Sequence, residues 1–381
     1  MTAALHLRRL AALLLCGVLL AAGGCGGSKP AAHNDPMTDM DSQTLVEDMG
    51  IGWNLGDTLD VCEADRDGDG IVNETAPAGQ EVDETLWGNV RTTPELFDHL
   101  KADGITAVRI PVTWRDHLSD DGTNTIHAAW MQRVQEVVNY AYERDMYVIL
   151  NVHHDGGGDP EFGAWIRTDA PGFDEVREKY QRIWEQIAET FSGYDQHLIF
   201  ESMNEVGFDS VAENRAYDML NTLNQDFVDL VRSSGGNNDR RHLLIAGYWT
   251  DIQKTCDSRF RMPEDPAGHC ILSVHYYTPY QFCITGERPT WGSGTEVRQM
   301  TNRIDQVTDT FVKQGVPVIV GEYGTIASDT QSRITFCKTL SALCHQRGIA
   351  AFFWDNGEEY DRVRYQWRTE GLPEALRESI S

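Results

Sequence analysis

His197-Leu-Ile-Phe-Glu-Ser-Met-Asn-Glu205 and Val316-Pro-Val-Ile-Val-Gly-Glu-Tyr-Gly324 share one pattern: an apolar, β-forming run that leads into a glutamate. Short runs of this kind read as buried strands, which puts Glu205 and Glu322 at strand C-terminal ends. Counting these two, strand-like runs fall near residues 50–54, 107–111, 147–153, 198–203, 243–247, 271–276, 316–321 and 349–354. Amphipathic stretches at 93–102, 128–144, 175–191, 214–232, 299–312 and 332–346 alternate with them. Pro94 near the start of the first stretch, and Gly315 and Gly348 just beyond two others, are the punctuation expected of helices. Eight strands with crossover helices predict a (β/α)8 barrel. An open doubly wound sheet is the alternative. It would call for a Gly-rich phosphate turn, and neither G-x-G-x-x-G nor a P-loop occurs in the chain.

The chain has 381 residues. Arg8-Arg9, an apolar run from Leu10 to Ala22 and the small residues Gly23-Gly24 read as an export signal over residues 1–24, too short and wrongly flanked to span a bilayer. Ala22-Gly23-Gly24-Cys25 resembles a lipoprotein cleavage site, which would attach the mature chain to a membrane through a lipidated Cys25; plain secretion is the alternative. Residues 25–41 read as a tether and 42–381 as a single catalytic barrel. With 59 acidic against 32 basic residues the formal charge is −27, which disfavours nucleic acid and anionic surfaces and suits a neutral substrate. Six cysteines remain beyond the leader, and an even number in an exported chain permits disulfides. Cys256 and Cys270, flanking one loop, are the expected pair. Cys337 and Cys344 lie about 10 Å apart along one predicted helix, too far to bond to each other.

Polar residues gather at nearly every strand's C-terminal end: Asn54 on the first, Arg109 on the second, His153-His154 on the third and Asn204-Glu205 on the fourth. His275 and Tyr277 follow on the sixth, Glu322 on the seventh and Trp354 on the eighth. A lone arginine or histidine there is an ordinary structural group, but the joint placement is what a barrel's functional face looks like. Two carboxyl groups facing each other across such a cleft are the machinery of glycoside hydrolysis, one protonating the leaving oxygen and the other attacking the anomeric carbon or activating water.

The motifs Gly52-Trp-Asn-Leu-Gly-Asp-Thr58, Trp87-Gly-Asn89, Val108-Arg-Ile-Pro-Val112, Asn151-Val-His-His154, Phe200-Glu-Ser-Met-Asn-Glu205, Gly235-Gly-Asn-Asn238, Ser273-Val-His-Tyr-Tyr277, Gly321-Glu-Tyr-Gly324 and Trp354-Asp-Asn-Gly357 together resemble glycoside hydrolase family 5. The Trp-Gly-Asn and Gly-Gly-Asn-Asn elements are most similar to subfamily 4, endo-β-1,4-glucanases and xyloglucanases. The resemblance implies Glu205 as acid/base and Glu322 as nucleophile of a retaining reaction, with Glu205 raised in pKa and Glu322 ionised. It implies that Arg109 and Tyr277 hold Glu322, that Asn204 binds the sugar 2-hydroxyl, that His153 and His275 bind hydroxyls or tune Glu205, and that Trp354 and Trp87 offer stacking platforms. Asn54 and His154 complete the expected substrate-binding set. Val206 and Asp57 depart from the family's usual Pro and Asn. The implied partner is a β-glucan such as cellulose, mixed-linkage glucan or xyloglucan. A mannanase or xylanase on the same scaffold, or a glycan-binding protein that has lost turnover, are the rival readings.

The implied chemistry uses no cofactor. His153-His154-Asp155 is read against a catalytic metal because neighbouring strand residues point to opposite faces; there is no His-x-His pair and no G-x-S-x-G nucleophile elbow. In the acidic loop, Asp65, Asp67, Asp69 and Gly70 match positions 1, 3, 5 and 6 of a calcium loop, and Asn73 matches position 9. Ala76 stands at position 12, where an acid is normal. Glu74, Glu81 and Asp83 are the nearby carboxylates that could complete a structural Ca²⁺ site. Trp184 is expected in the core, whereas Trp165, Trp249 and Trp291 are open candidates for sugar stacking.

Overall fold

The computed structural model describes residues 33–65, 72, 74–156, 163–167 and 172–381. The export signal, Cys25 and the first part of the tether lie outside the described residues. Eight parallel strands close into a barrel: β1 (Ile51–Leu55), β2 (Ala107–Ile110), β3 (Tyr147–Asn151), β4 (Leu198–Glu201), β5 (Leu243–Asp251), β6 (Cys270–Tyr276), β7 (Val318–Tyr323) and β8 (Ala350–Asp355). The last strand pairs back onto the first, with Asn54 level with Trp354. The main helices are α1 (Ser42–Asp48), α2 (Pro94–Ala102), α3 (Ala128–Tyr142), α4 (Phe173–Thr190), α5 (Glu213–Ser233), α6 (Ile252–Thr255), α7 (Tyr280–Cys283), α8 (Gly294–Thr310), α9 (Thr330–His345) and α10 (Leu372–Ser379). No described helix is long and apolar enough to cross a membrane.

The inward faces of the strands stack in layers. Ala107, Tyr147, Ile149, Ile199, Leu244, Ile271, Ile319 and Phe352 fill the lower barrel, and Leu45 and Val46 from α1, with Met49 just past its end, close it from below. Gly52 belongs to this layer by having no side chain, since a Cβ there would lie 2.3 Å from the Phe352 ring. Strand side chains alternate between faces, so the next inward positions up are Asn54, Arg109, Asn151, Glu201 and Ser273. All five are fully buried. The apolar plug thus supports a polar floor, and the site stands on that floor.

Four expectations change. Residues 33–41 are not a free tether: the His33 ring packs on Tyr142 and Tyr194, the Asp35 N–H donates to the Gly193 carbonyl, and Asn237 Nδ2 donates to the Asp35 carbonyl. Helix α8 starts five residues before the expected 299, because Ser293 and Glu296 form a reciprocal capping box. Strand β5 runs on to Asp251 through Trp249 and Thr250, whose φ values of +53° and +47° mark a register shift. Cys256 and Cys270 are both free thiols, as are Cys62, Cys283, Cys337 and Cys344. Cys256 follows α6 and interacts with Thr310 at the end of α8, whereas the Cys270 thiol points at Asp265, 3.5 Å away. The loop between them leads the two sulfurs to different neighbours.

Candidate active site

Arg109 occupies the centre of the polar floor. Its Nε donates to Glu201 Oε2 at 2.6 Å, Nη1 to Glu322 Oε1 at 2.7 Å and to Asn54 Oδ1 at 3.0 Å, and Nη2 to Asn204 Oδ1 at 2.8 Å. One guanidinium therefore ties β1, β4 and β7 to β2. Burial alone would weaken its hold on the proton, but Glu201 and Glu322 more than offset that and raise its pKa. Glu201 also accepts from Asn151 Nδ2 at 3.0 Å and from Ser273 Oγ at 2.8 Å. Asn54 and Arg109 both have 0% exposure. Asn54 donates to the Gly321, Phe352 and Phe353 carbonyls while accepting from Arg109. As candidate substrate ligands these two need correcting, because their polar atoms are spent below the cleft, orienting what stands above.

Glu322 is the penultimate residue of β7, with Tyr277 Oη donating to its Oε2 at 3.0 Å. Glu205 lies beyond β4 at φ +40°, a left-handed conformation rare for a residue with a Cβ. Its side chain is 41% exposed, whereas that of Glu322 is 6% exposed. His275 bridges them, with Nδ1 2.7 Å from Glu205 Oε1 and 3.6 Å from Glu322 Oε2. One ligand atom from each of Glu205, His275 and Glu322 falls within 4.8 Å of the other two.

Burial pushes the Glu322 carboxyl up; His275 and Arg109 oppose that rise, and Glu205 adds to it. The resemblance implied an ionised Glu322; burial works against that state, and His275 and Arg109 work for it. Burial would lower the His275 pKa, but Glu322 and Glu205 together raise it. Burial raises the Tyr277 hydroxyl far above its ordinary range, with Glu322 and Glu205 adding to it, so it stays a donor.

His153 is neutral, its pKa driven down by burial and then by His154, Arg109 and His275. Asn151 fixes its tautomer. The Asn151 Oδ1 accepts from the Val112 N–H, so its Nδ2 must donate, and it does so to both Glu201 Oε2 and His153 Nδ1. The proton of His153 is left on Nε2. Trp354 lies parallel to His153, ring centroids 5.9 Å apart, and over Gly56, where a Cβ would come within 2.6 Å of the indole. Asn204 Nδ2 makes no hydrogen bond among the described residues and remains a donor at the floor of the cleft.

Trp87 donates to the Cys62 carbonyl and packs on the His154 ring at 5.7 Å. The expected divergence of His153 and His154 does not occur. Strand β3 ends at Asn151, so alternation no longer governs them; their centroids are 4.5 Å apart, and Asp60 joins them. Trp165 is turned inward onto Asp155, Trp291 packs on Phe336, and Trp184 is in the core. Trp249 lies over Gly207, beside the Glu205 loop, and is the one of the three open candidates that flanks the cleft. Of the positions matched to a calcium loop, Asp65 is described, whereas Asp67, Asp69, Gly70 and Asn73 lie outside the described residues. A two-residue antiparallel bridge between Ala64 and Glu74 closes the base of that loop.

Sequence reasoning missed Glu201, Asn151 and Ser273 as parts of the site. A signal was available, because each is a polar residue two positions above an apolar one on the inward face of a strand.

A family model described as cellulase, glycosyl hydrolase family 5, matches residues 68–360. Endoglucanase A of Paenibacillus barcinonensis is 34% identical over 374 residues, covering 89% of this chain and 88% of that protein. A family 5 xyloglucanase from Paenibacillus pabuli, solved with ligand, matches at a TM-score of 0.79 and 32% identity over 88% of this chain and 100% of that one. A tri-modular subfamily 4 endo-β-1,4-glucanase from Bacillus licheniformis, solved with cellotetraose, matches at 0.76 and 32% identity over 90% of this chain and 60% of that one. With the family model spanning most of the barrel, and relatives this similar along nearly all of the chain, the protein belongs to glycosyl hydrolase family 5, the cellulase family.

Proposed function

We propose that this chain is a retaining endo-β-1,4-glucanase in which Glu322 is the nucleophile and Glu205 the acid/base. The observation that carries the reading is the spacing of the two carboxyl groups, oxygens of which lie within 4.8 Å of each other. Retaining glycosidases hold the pair about 5–5.5 Å apart, whereas inverting ones leave about 6.5–9.5 Å for a water.

Glu322 attacks the anomeric carbon while Glu205 gives its proton to the departing glucosyl oxygen, leaving a covalent glycosyl-enzyme. Water then enters on the Glu205 side, gives up a proton to Glu205 and releases the sugar with its β configuration retained. A bound chain covers the half-exposed Glu205 and keeps bulk water from the proton transfer. Arg109 and Tyr277 hold the Glu322 oxygens. Asn204 Nδ2 is placed to donate to the 2-hydroxyl, and His153 Nε2–H to a neighbouring hydroxyl. Trp354 supplies an apolar face for the reacting sugar, and Trp249 one on the acid/base side. Two carboxyl groups suffice for this chemistry without a cofactor. A calcium ion in the 65–76 loop would stiffen the rim beside Trp87 and take no part in these steps.

The substrate is a neutral β-glucan. That fits the acidic chain, the endoglucanase and xyloglucanase relatives, and a cleft whose donors are aimed at hydroxyl groups. Reducing-end release on carboxymethyl-cellulose, lichenan, xyloglucan, xylan and mannan tests it. Release from the glucans at rates at least about tenfold above xylan and mannan is expected, since a misplaced hydroxyl against a built donor set costs more than one hydrogen bond. Dominant activity on mannan or xylan would overturn the substrate class, and no release from folded protein would favour the glycan-binding reading.

A further inference from the structure

Glu201 is a wholly buried carboxylate that reaches neither the cleft nor the solvent, yet it holds the same guanidinium as Glu322. Arg109 gives Nε to Glu201 Oε2 at 2.6 Å and Nη1 to Glu322 Oε1 at 2.7 Å, so one positive charge faces two negative ones. Glu201 is in turn fixed from two other strands, by Asn151 Nδ2 on β3 at 3.0 Å and by Ser273 Oγ on β6 at 2.8 Å. Had the floor been built only to hold Arg109 in place, a neutral acceptor would have served at lower desolvation cost. A second carboxylate does something a neutral acceptor cannot, because it draws off part of the cation's field.

We propose that Glu201 is a positioning residue that sets the ionisation and basicity of Glu322 by dividing the charge of Arg109 between them. With Arg109 committed wholly to Glu322, the nucleophile would be more easily ionised and correspondingly less basic. With the charge shared, Glu322 keeps a higher affinity for a proton and, by the same token, for the anomeric carbon. The other groups facing this pair stay as they are: His153 above Asn151, His275 and Tyr277 on the β6 side, and Glu205 across the cleft. This rests on the assignment of Glu322 as nucleophile.

The test is the pH dependence of kcat/KM on a soluble cello-oligosaccharide for the wild type, Glu201→Gln and Glu201→Asp, with Glu322→Gln alongside. The neutral Glu201→Gln variant frees Arg109, so the acid limb is expected to move to lower pH by about one unit, the scale of a neighbouring buried charge. Its plateau kcat falls several-fold while KM stays within about twofold of wild type, because Glu201 touches no substrate. Glu201→Asp retains the charge and keeps its acid limb at the wild-type position even where kcat is reduced. An acid limb that stays put or moves up in Glu201→Gln, or that moves equally in both variants, overturns the proposal. Should Glu201→Gln fail to fold, Ser273→Ala reads the same network. Removing the hydroxyl that donates to Glu201 leaves more of its charge on Arg109, and the acid limb moves up by a few tenths of a unit; no movement overturns the proposal. Full activity in Glu322→Gln would instead sink the nucleophile assignment, independently of what Glu201 does.

Discussion

Glu322→Gln is expected to lower kcat by about 10⁴-fold or more while cellotetraose binding stays within a few fold of wild type. The side chain is nearly isosteric, and its surroundings are built around it. Arg109 can still donate to the amide oxygen in the place of Oε1, and the Tyr277 hydroxyl can accept from the amide nitrogen in the place of Oε2, so the cleft keeps its shape. What is lost is the lone pair that forms the glycosyl-enzyme, a contribution made only in the transition state. Isothermal titration with cellotetraose and initial-rate measurements on the same preparation separate the two effects. Azide then distinguishes the roles of the two glutamates. In Glu322→Ala, azide replaces the nucleophile in a single displacement and yields the α-glycosyl azide. In Glu205→Ala it intercepts the covalent intermediate and yields the β-glycosyl azide. Products of the opposite configuration would exchange the two assignments.

Arg109→Met is expected to cause the largest loss of stability, about 3–5 kcal/mol near neutral pH, together with a fall of about 10²–10³ in kcat. Two buried carboxylates, Glu201 and Glu322, lose their common cation, and Asn54 and Asn204 each lose a donor. The pH dependence of this loss has a definite sign. The Glu322 carboxyl is raised by burial and held down by His275 and Arg109; without Arg109 it rises further. A carboxyl raised in the folded state binds a proton that the unfolded chain has already released. Stability is therefore intact below the ordinary value of 4.5 and declines as pH climbs through the folded value. The variant's deficit relative to wild type should thus be smaller at pH 4 than at pH 7, as read by urea unfolding at each pH. A deficit that is equal at both, or greater in acid, would mean that the guanidinium matters for packing and not for charge.

The order of the barrel was legible because its strands are continuous apolar runs and its helices carry a period near 3.6. The placement of both glutamates could be read as well, since residues at and just beyond the C-terminal ends of buried strands in such a barrel fall on the functional face. What the sequence hid was depth. Asn54 and Arg109 look like ligands because they share strand tips with the others, yet each sits one inward layer lower and spends its polar atoms on protein. Only the level at which neighbouring strands pair, Asn54 with Arg109 and Arg109 with Ile149, sets that depth, and register is not written in any single strand. Glu201 was overlooked for the reverse reason. Four residues before Glu205 it reads as part of a motif, while its inward face and full burial make it part of the floor. His153 and His154 defeated the alternation rule because the strand ends two residues before them. Cys256 and Cys270 defeated the pairing rule because flanking a loop fixes closeness in sequence and not in space.

A 2-deoxy-2-fluoro cello-oligosaccharide with an activated leaving group slows both steps but lets the covalent intermediate accumulate, and peptide mass spectrometry of the inactivated enzyme locates the bond. A single glycosyl adduct on the peptide carrying Glu322, absent from Glu322→Gln, is the predicted result. An adduct on Glu205 or elsewhere, or no adduct together with product released as the α-anomer, would contradict the account.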